Sequence, residues 1–207
     1  EMKQPPAAEF FLQDTVKVAE KLIGSYLSHT VDGNELVGRI VETEAYRQDD
    51  PASHSYRGLT PRTAPMFKAG GVAYVYLIYG MYNCFNVVTE SPGVGCAVLI
   101  RAVEPLAGIP RMWCNRFPGC EFDETKVHTS ANGPGKLCRA FGIDKKVNGA
   151  LLATGPVRIL LDREAGINEI VVTRRIGITK GADLPWRFYE KGSPSVSADR
   201  KADSTNE

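Results

Sequence analysis

The chain has 207 residues, 43% of them hydrophobic, so we expect a single domain over residues 1–207, with disordered tails at residues 1–8 and 201–207. The absence of any run of about 18 apolar residues excludes a membrane-spanning helix, and the polar, proline-containing start is unlike a signal peptide, so we expect a soluble, non-secreted protein. A net charge of +1 does not mark the chain as a nucleic-acid-binding protein.

A helix and then a β-hairpin are predicted near the start of the chain. Asp14 is a suitable N-cap for a helix with apolar residues at helical spacing, and Gly24 is placed to end it. Two extended runs, residues 25–31 and 36–46, flank Asp-Gly-Asn, which favours a tight turn.

The second of these runs carries two glutamates. Because side chains alternate along a strand, one side is predicted to hold Ile40, Glu42, Glu44 and Tyr46. A loop rich in Asp, Pro, Ser and Arg is expected over residues 47–65.

The middle of the chain predicts a second hairpin and another strand. Aromatic and β-branched residues over 72–88 surround Gly80 and Met81, which indicates a hairpin with its tip at residues 79–82. Residues 96–103 form an apolar strand on which Leu99 and Arg101 point the same way.

Two helices and three further strands follow. Pro105 suits the first turn of a short helix, and Pro134 suits the start of another. Strands are predicted at residues 157–161, 170–172 and 186–189. Hairpins dominate and no βαβ repeat is present, which predicts an α+β fold around a curved, mainly antiparallel β-sheet with a protruding β-hairpin.

The cysteines and histidines give no pattern for a disulfide framework or a metal site. The five cysteines are odd in number and form no CxxC pair, and the three histidines are scattered. We therefore expect free thiols in a reducing compartment, with no metal and no cofactor. The stretch 101–146, with eight Lys and Arg against five acidic residues, is only mildly basic.

The two glutamates of VETEAY are candidates for acid–base chemistry, since paired carboxylates serve glycosidases. On spacing alone, two solvated surface side chains are the better interpretation. Tyrosines and a histidine are close in sequence, although a tyrosine-rich hairpin is also ordinary sheet packing.

Several longer blocks are more specific. They are GRIVETEAY (38–46), AxHS (52–55), YVYLIYGMYNCFN (74–86), VLIRAVEPL (98–106), NGPGKLCRAFGI (132–143), RIGI (175–178) and RFYEKGSPSVS (187–197). With these blocks the sequence resembles the alkyladenine (3-methyladenine) DNA glycosylase family from about residue 10 to residue 200.

The resemblance implies a catalytic group and an aromatic pocket. Glu44 would be the general base that deprotonates the attacking water, with Arg101 and the backbone carbonyl of Ile176 holding that water. Stacking on the extruded purine is implied for three side chains, Tyr46, His54 and Tyr76.

The resemblance also implies the rest of the site. Asn86 and Leu99 would line the pocket, while Tyr79 would fill the gap left by the flipped nucleotide. The residues expected to contact DNA are Tyr79, Met81, Tyr82, Lys136 and Arg62. Gly181 falls where a family member has a pocket-side tryptophan, a place that Trp186 could fill.

The implied activity is that of a monofunctional DNA glycosylase of base excision repair. Glycosylases extrude their target base, because its bond to the sugar cannot be reached inside the stack. The expected partner is double-stranded DNA with an alkylated or deaminated purine, bound by a monomer in the cytoplasm, at the bacterial nucleoid, or in the nucleus.

Two other classes of function fit part of the pattern. A non-catalytic lesion-recognition protein would use the same pocket, and an RNA-binding protein would use stacking tyrosines on single strands. Glu44 and Arg101 argue against the first, since stacking requires neither.

Overall fold

The computed structural model describes residues 4–162, 166 and 168–197. Within these residues one antiparallel sheet is formed by eight strands: β1 (Tyr26–Val31), β2 (Asn34–Tyr46), β3 (Ala73–Ile78), β4 (Tyr82–Val88), β5 (Ala97–Ala107), β6 (Val157–Leu160), β7 (Ile170–Thr173) and β8 (Arg187–Glu190). The main path of the sheet is β3-β4-β5-β2-β1-β6, and β8 pairs with both β2 and β7. The predicted α+β fold around a curved, mainly antiparallel sheet is confirmed.

Four α-helices accompany the sheet in the described part of the chain: α1 (Ala8–Phe11), α2 (Thr15–Lys21), α3 (Ile109–Arg116) and α4 (Pro134–Phe141). Four short 3-10 helices lie at His54–Arg57, Ala64–Phe67, Glu124–Thr129 and Lys145–Val147. Both α2 and α4 pack their apolar residues into the same core as one face of the sheet.

The first helix and hairpin form where the sequence predicts them. The Asp14 carboxylate accepts hydrogen bonds from the backbone N–H groups of Val16 at 3.1 Å and Lys17 at 3.2 Å, which satisfies donors left unpaired at the start of a helix. At the turn between β1 and β2, Asp32 and Gly33 have φ of 49° and 74°, the left-handed conformation that a tight hairpin turn requires.

The alternation of side chains along β2 is interrupted once. In the pairing with β5, Ile40 lies opposite Val103 and Glu42 opposite Ala102, so Val41 is an extra residue in β2. Ile40 therefore lies in the hydrophobic core with Val103. The prediction that Ile40 shares a side with Glu42 is wrong, because the bulge reverses the alternation between them.

The predicted helix start at Pro105 is also wrong. Pro105 belongs to β5 and lies opposite Gly38, and the helix begins later, at Ile109. The N-terminal half of β5 lies between β2 and β4, whereas β4 ends its pairing at Leu99. Pro105 is thus beyond the reach of β4, where the missing N–H group of proline is tolerated.

Regular structure begins closer to the N-terminus than predicted. Gln4 forms a β-bridge with Leu161 and α1 begins at Ala8, so the disordered tail predicted over residues 1–8 was too long. Residues 1–3 and 201–207 lie outside the described residues. In the described part of the chain, each helix is too short or too polar to span a bilayer.

The five cysteines are free thiols, as predicted. Three are buried (Cys84, Cys96 and Cys138) and two are exposed (Cys114 and Cys120). Cys138, a residue of α4, lies in the core cluster.

Gly38 of β2 lies close against two core side chains, which supplies a test of the packing. A Cβ atom there would lie 2.8 Å from Val103 Cγ2 and 3.0 Å from Phe141 Cζ. We expect Gly38→Ala to lower the free energy of unfolding by about 1–3 kcal/mol through overpacking, measured by urea denaturation. Glu35→Gln, at an exposed position of the same strand, should change it by less than about 0.5 kcal/mol. Equal stability of the Gly38 variant and the parent would contradict this packing.

Candidate active site

Five paired residues cross the sheet in one row, although they are far apart in the chain. The row runs from β8 to β3 through Arg187, Glu44, Leu99, Asn86 and Tyr74. Directly opposite residues of an antiparallel sheet project to the same side. Register alone therefore brings the predicted base, Glu44, onto one face with two predicted pocket residues.

This face forms one wall of a cavity of about 260 Å³, close to the lower end of small-molecule sites, about 300 Å³. Eight of the predicted site residues line it: Tyr46, His54, Tyr76, Tyr79, Asn86, Leu99, Arg101 and Ile176. Glu44 is fully buried and bonds to three of these lining residues. The structure thus brings together side chains that the sequence places between residues 44 and 176.

The Glu44 carboxylate is held by two hydrogen bonds and one ion pair. Ile176 donates its backbone N–H to Oε1 at 2.7 Å, Tyr46 donates its hydroxyl to Oε2 at 2.8 Å, and Arg101 Nη1 lies 3.4 Å from Oε2. The observed contact of Ile176 is made by its N–H group, whereas the sequence analysis assigned a role to its carbonyl. That assignment stays a prediction.

Arg101 and Glu42 form a second buried ion pair beside Glu44. Arg101 Nε donates to Glu42 Oε1 at 3.1 Å, and Arg187 Nε donates to the same oxygen at 2.7 Å. Burial lowers the pKa of Arg101, but Glu44 and Glu42 outweigh that effect and raise it above its usual value. The interpretation of the two glutamates as solvated surface residues is therefore wrong.

One aromatic wall of the cavity, Tyr46, is supported from behind by a buried arginine. Arg175 Cζ lies 4.7 Å from the centre of the Tyr46 ring, and its guanidinium donates to Ala45 O at 2.9 Å and to Asp50. Arg175 was missed in the sequence analysis, although it opens the RIGI block. Burial, together with the neighbouring Glu44, raises the pKa of Tyr46, so its hydroxyl keeps its proton.

Trp186 does not fill the place proposed for it. Its ring lies under the guanidinium of Arg175, 5.2 Å away, and it is not among the residues that line the cavity. Trp186 also stacks on Arg47 at 5.9 Å, which places it on the outer side of Arg175.

A second aromatic wall is formed by His54 and Tyr76, whose ring centres are 4.4 Å apart. His54 Nδ1 lies 3.0 Å from the Tyr74 hydroxyl. Although His54 is at the open end of the cavity, desolvation and the charge of Arg62 lower the pKa of its imidazole to about 4. His54 is therefore neutral at pH 7. Arg62 itself lies 5.6 Å from the Tyr76 ring.

The inner end of the cavity is built by β4. The Asn86 side chain donates to Tyr74 O at 3.1 Å, which fixes its orientation. Cys84 lines the same region, and burial raises the pKa of its thiol.

The hairpin tip projects beside the cavity. Tyr79, Met81 and Tyr82 are 83%, 67% and 45% exposed. Tyr79 and Gly80 both have positive φ, 52° and 70°, which is the tight turn predicted for this tip. Three large apolar side chains thus stand in solvent at one end of the pocket.

The start of α4 adjoins this tip. Pro134 lines the cavity, and Gly135 lies so close to Tyr82 that a Cβ atom would be 3.1 Å from the Tyr82 Cβ. Lys136 follows, with its Nζ 2.8 Å from Asn132 Oδ1. Lys136, which is expected to contact DNA, and the hairpin tip are therefore on the same side of the molecule.

Comparison with known proteins agrees with this geometry. Residues 9–194 match the family model described as methylpurine-DNA glycosylase (MPG). A relative from Methanoculleus marisnigri is 49% identical over 195 residues, 93% of this chain and 97% of the relative. Relatives from Bacillus cereus strain ATCC 14579 and Francisella tularensis strain SCHU S4 are each 46% identical, over 95% and 88% of this chain and 99% and 93% of their own lengths.

All three relatives carry the name "Putative 3-methyladenine DNA glycosylase". The family match extends over all the residues that line the cavity, from Tyr46 to Ile178. The chain therefore belongs to the methylpurine-DNA glycosylase family of DNA-repair hydrolases.

Proposed function

We propose that this protein is a monofunctional glycosylase that flips an alkylated or deaminated purine out of duplex DNA and hydrolyses its bond to the sugar. Water attacks the anomeric carbon, the N-glycosidic bond breaks, the purine leaves with the bonding electrons, and Glu44 takes the proton of the water. The products are a free base and an abasic site. The observation that carries the proposal is the Glu44 carboxylate, buried and bonded to three residues of an aromatic-lined cavity.

The hydrogen bonds of Glu44 leave room for that water. A carboxylate offers about four acceptor positions. Tyr46 donates to Oε2, which also pairs with Arg101 at 3.4 Å, and Ile176 donates to Oε1. The remaining position on Oε1 supports the role of Glu44 as the base, with Arg101 and the Ile176 carbonyl as further contacts for the water.

The chemistry of the walls favours an alkylated purine. Alkylation of a ring nitrogen makes the base cationic, and the π faces of Tyr46 and Tyr76 attract a cation by about 0.5–2 kcal/mol. The neutral His54 does not repel it. Asn86 and Leu99 are proposed to contact the purine edge. A cationic purine also leaves as a neutral molecule, so the site needs no general acid for it.

The absence of an amine nucleophile supports hydrolysis without a lyase step. Among the described residues that line the cavity there is no lysine that could form a Schiff base with the sugar. Water is then the nucleophile, as the position of Glu44 requires.

The remaining assignments concern the DNA. Tyr79 is proposed to fill the space of the flipped nucleotide, with Met81 and Tyr82 beside it in the minor groove and Lys136 on the backbone. Arg62 is proposed to contact the backbone from the pocket rim. We further propose that the chain acts as a monomeric single domain, in the cytoplasm, at the bacterial nucleoid, or in the nucleus.

The non-catalytic and RNA-binding alternatives explain less of the structure. Burying Glu44 and Arg101 costs desolvation free energy that a stacking pocket alone would not require. Release of free base from methylated duplex DNA, compared with single-stranded DNA and RNA, separates the three functions.

Glu44→Gln tests the proposed base. We expect the variant to retain affinity for damaged duplex but to lose about 10²–10⁴-fold in single-turnover excision, because the amide keeps the size and loses the basicity. Glu35→Gln, on the exposed part of the same strand, is the control and should excise like the parent. Near-normal excision by Glu44→Gln would show that Glu44 is not the general base.

Tyr79→Ser tests the hairpin tip. Because Tyr79 is 83% exposed, its loss should leave the melting temperature unchanged. The flipped population, followed by ethenoadenine fluorescence in the bound duplex, should fall, since unstacking costs a few kcal/mol that the inserted ring offsets. Tyr56→Ser, at another exposed tyrosine outside the cavity, should change neither quantity. Unchanged fluorescence with a large drop in melting temperature would assign Tyr79 to packing.

Lys136→Ala tests the backbone contact. We expect weaker binding to damaged and undamaged duplex alike, with the slope of log affinity against log salt reduced by about one. The control is Lys17→Ala, since Lys17 is exposed on α2 and is not among the residues that line the cavity. A loss restricted to one lesion would place Lys136 at the base instead.

A further inference from the structure

The block RFYEKGSPSVS, which the proposed mechanism does not use, brings both of its ends to the carboxylate of Glu42. Arg187, its first residue, donates Nε to Oε1 at 2.7 Å. Ser197, its last residue, donates its backbone N–H to Oε2 at 2.7 Å and its hydroxyl to Oε1 at 2.9 Å. Glu42 is fully buried, and both partners are buried as well.

The same cluster fixes the orientation of Arg101. Its Nε donates to Glu42 at 3.1 Å, and its Nη2 donates to the Ser197 hydroxyl at 3.3 Å. The third nitrogen, Nη1, then lies 3.4 Å from Glu44 Oε2. Glu42 and Ser197 thus hold two nitrogens of the guanidinium while the third faces the proposed base.

We propose that Glu42 and Ser197 are positioning residues for the hydrolysis proposed above, and that Ser197 completes the active site by docking on Glu42. The inference rests on the proposed function, because it assigns a role to the partner of Glu44. Ser197 lies beyond the residues that match the family model, which end at 194.

Substitutions of Glu42 and Ser197 differ in their effect on the charge of the cluster. The cluster contains two carboxylates, Glu42 and Glu44, and two arginines, Arg101 and Arg187. Glu42→Gln removes one negative charge, which leaves an excess positive charge near Glu44 and favours its ionised form. The acid limb of the pH–rate profile should therefore move to lower pH, and the maximal rate should fall with the weaker base. Ser197→Ala changes no charge, so it should lower the rate without moving the limb.

The experiment measures release of methylpurines from duplex DNA treated with dimethyl sulfate, with enzyme in excess, between pH 5 and 8. We expect Ser197→Ala to lower the excision rate about 10–100-fold by misplacing Arg101, with unchanged affinity for the duplex. Ser197→Thr, which keeps the hydroxyl, should restore most of the rate.

Ser195→Ala is the matched control. Ser195 is buried in the same segment, but its hydroxyl has no hydrogen-bond partner among the described residues. The Ser195→Ala variant should therefore excise methylpurines like the parent. Melting curves of all variants separate a positioning effect from unfolding. If Glu42→Gln does not fold, the comparison of Ser197→Ala with Ser195→Ala still tests the inference.

Two outcomes would overturn the inference. One is normal excision by Ser197→Ala with an unmoved acid limb in Glu42→Gln. The other is an equal loss of rate in the Ser195 and Ser197 variants that follows their loss of stability. If Glu44→Gln abolishes excision in the same assay, the proposed function survives either outcome, whereas excision by Glu44→Gln would contradict the proposed function itself.

Discussion

A single extra residue in β2 determines which side chains of this long strand enter the core and which enter the cavity. Before Val41, Ile40 packs against the core, and after it Glu42 and Glu44 face the arginines. Without the bulge, the strand would present either two glutamates to the core or two apolar residues to the site, because the side-chain period of a strand is two. Because of the bulge, one continuous strand contributes apolar side chains to the core and two carboxylates to the candidate active site.

The buried charges depend on this arrangement. Glu42 and Glu44 are both inaccessible to solvent, and each would be costly to bury alone. Arg101 contacts both carboxylates, and Arg187 contacts the first. The two arginines thus balance the two carboxylates while a carboxylate is kept next to an aromatic cavity, which is the combination that the proposed hydrolysis next to a cationic base requires.

Much of this architecture could be predicted from local patterns. Alternation placed Leu99 and Arg101 on one face of β5, and both line the cavity. Turn chemistry located both hairpins.

Other features could not be predicted locally. The bulge at Val41 has no signature in the sequence, and a proline within β5 imitates a helix start. Arg175 and Ser197 come from irregular segments, so no periodicity indicates which carboxylate each one meets. The partners of Glu42 depend on pairings between strands more than a hundred residues apart, which only the assembled sheet defines.

Burial of the Cys84 thiol affects its reactivity towards methylating agents. The agents that methylate purines also attack thiolates, and a modified cysteine in the pocket would block the base that the proposed mechanism flips into it. Burial keeps Cys84 protonated at neutral pH by raising its pKa, and the protonated thiol is a poor nucleophile. If the pocket binds an alkylated base, as proposed above, it therefore presents little thiolate to the electrophiles that create such a base.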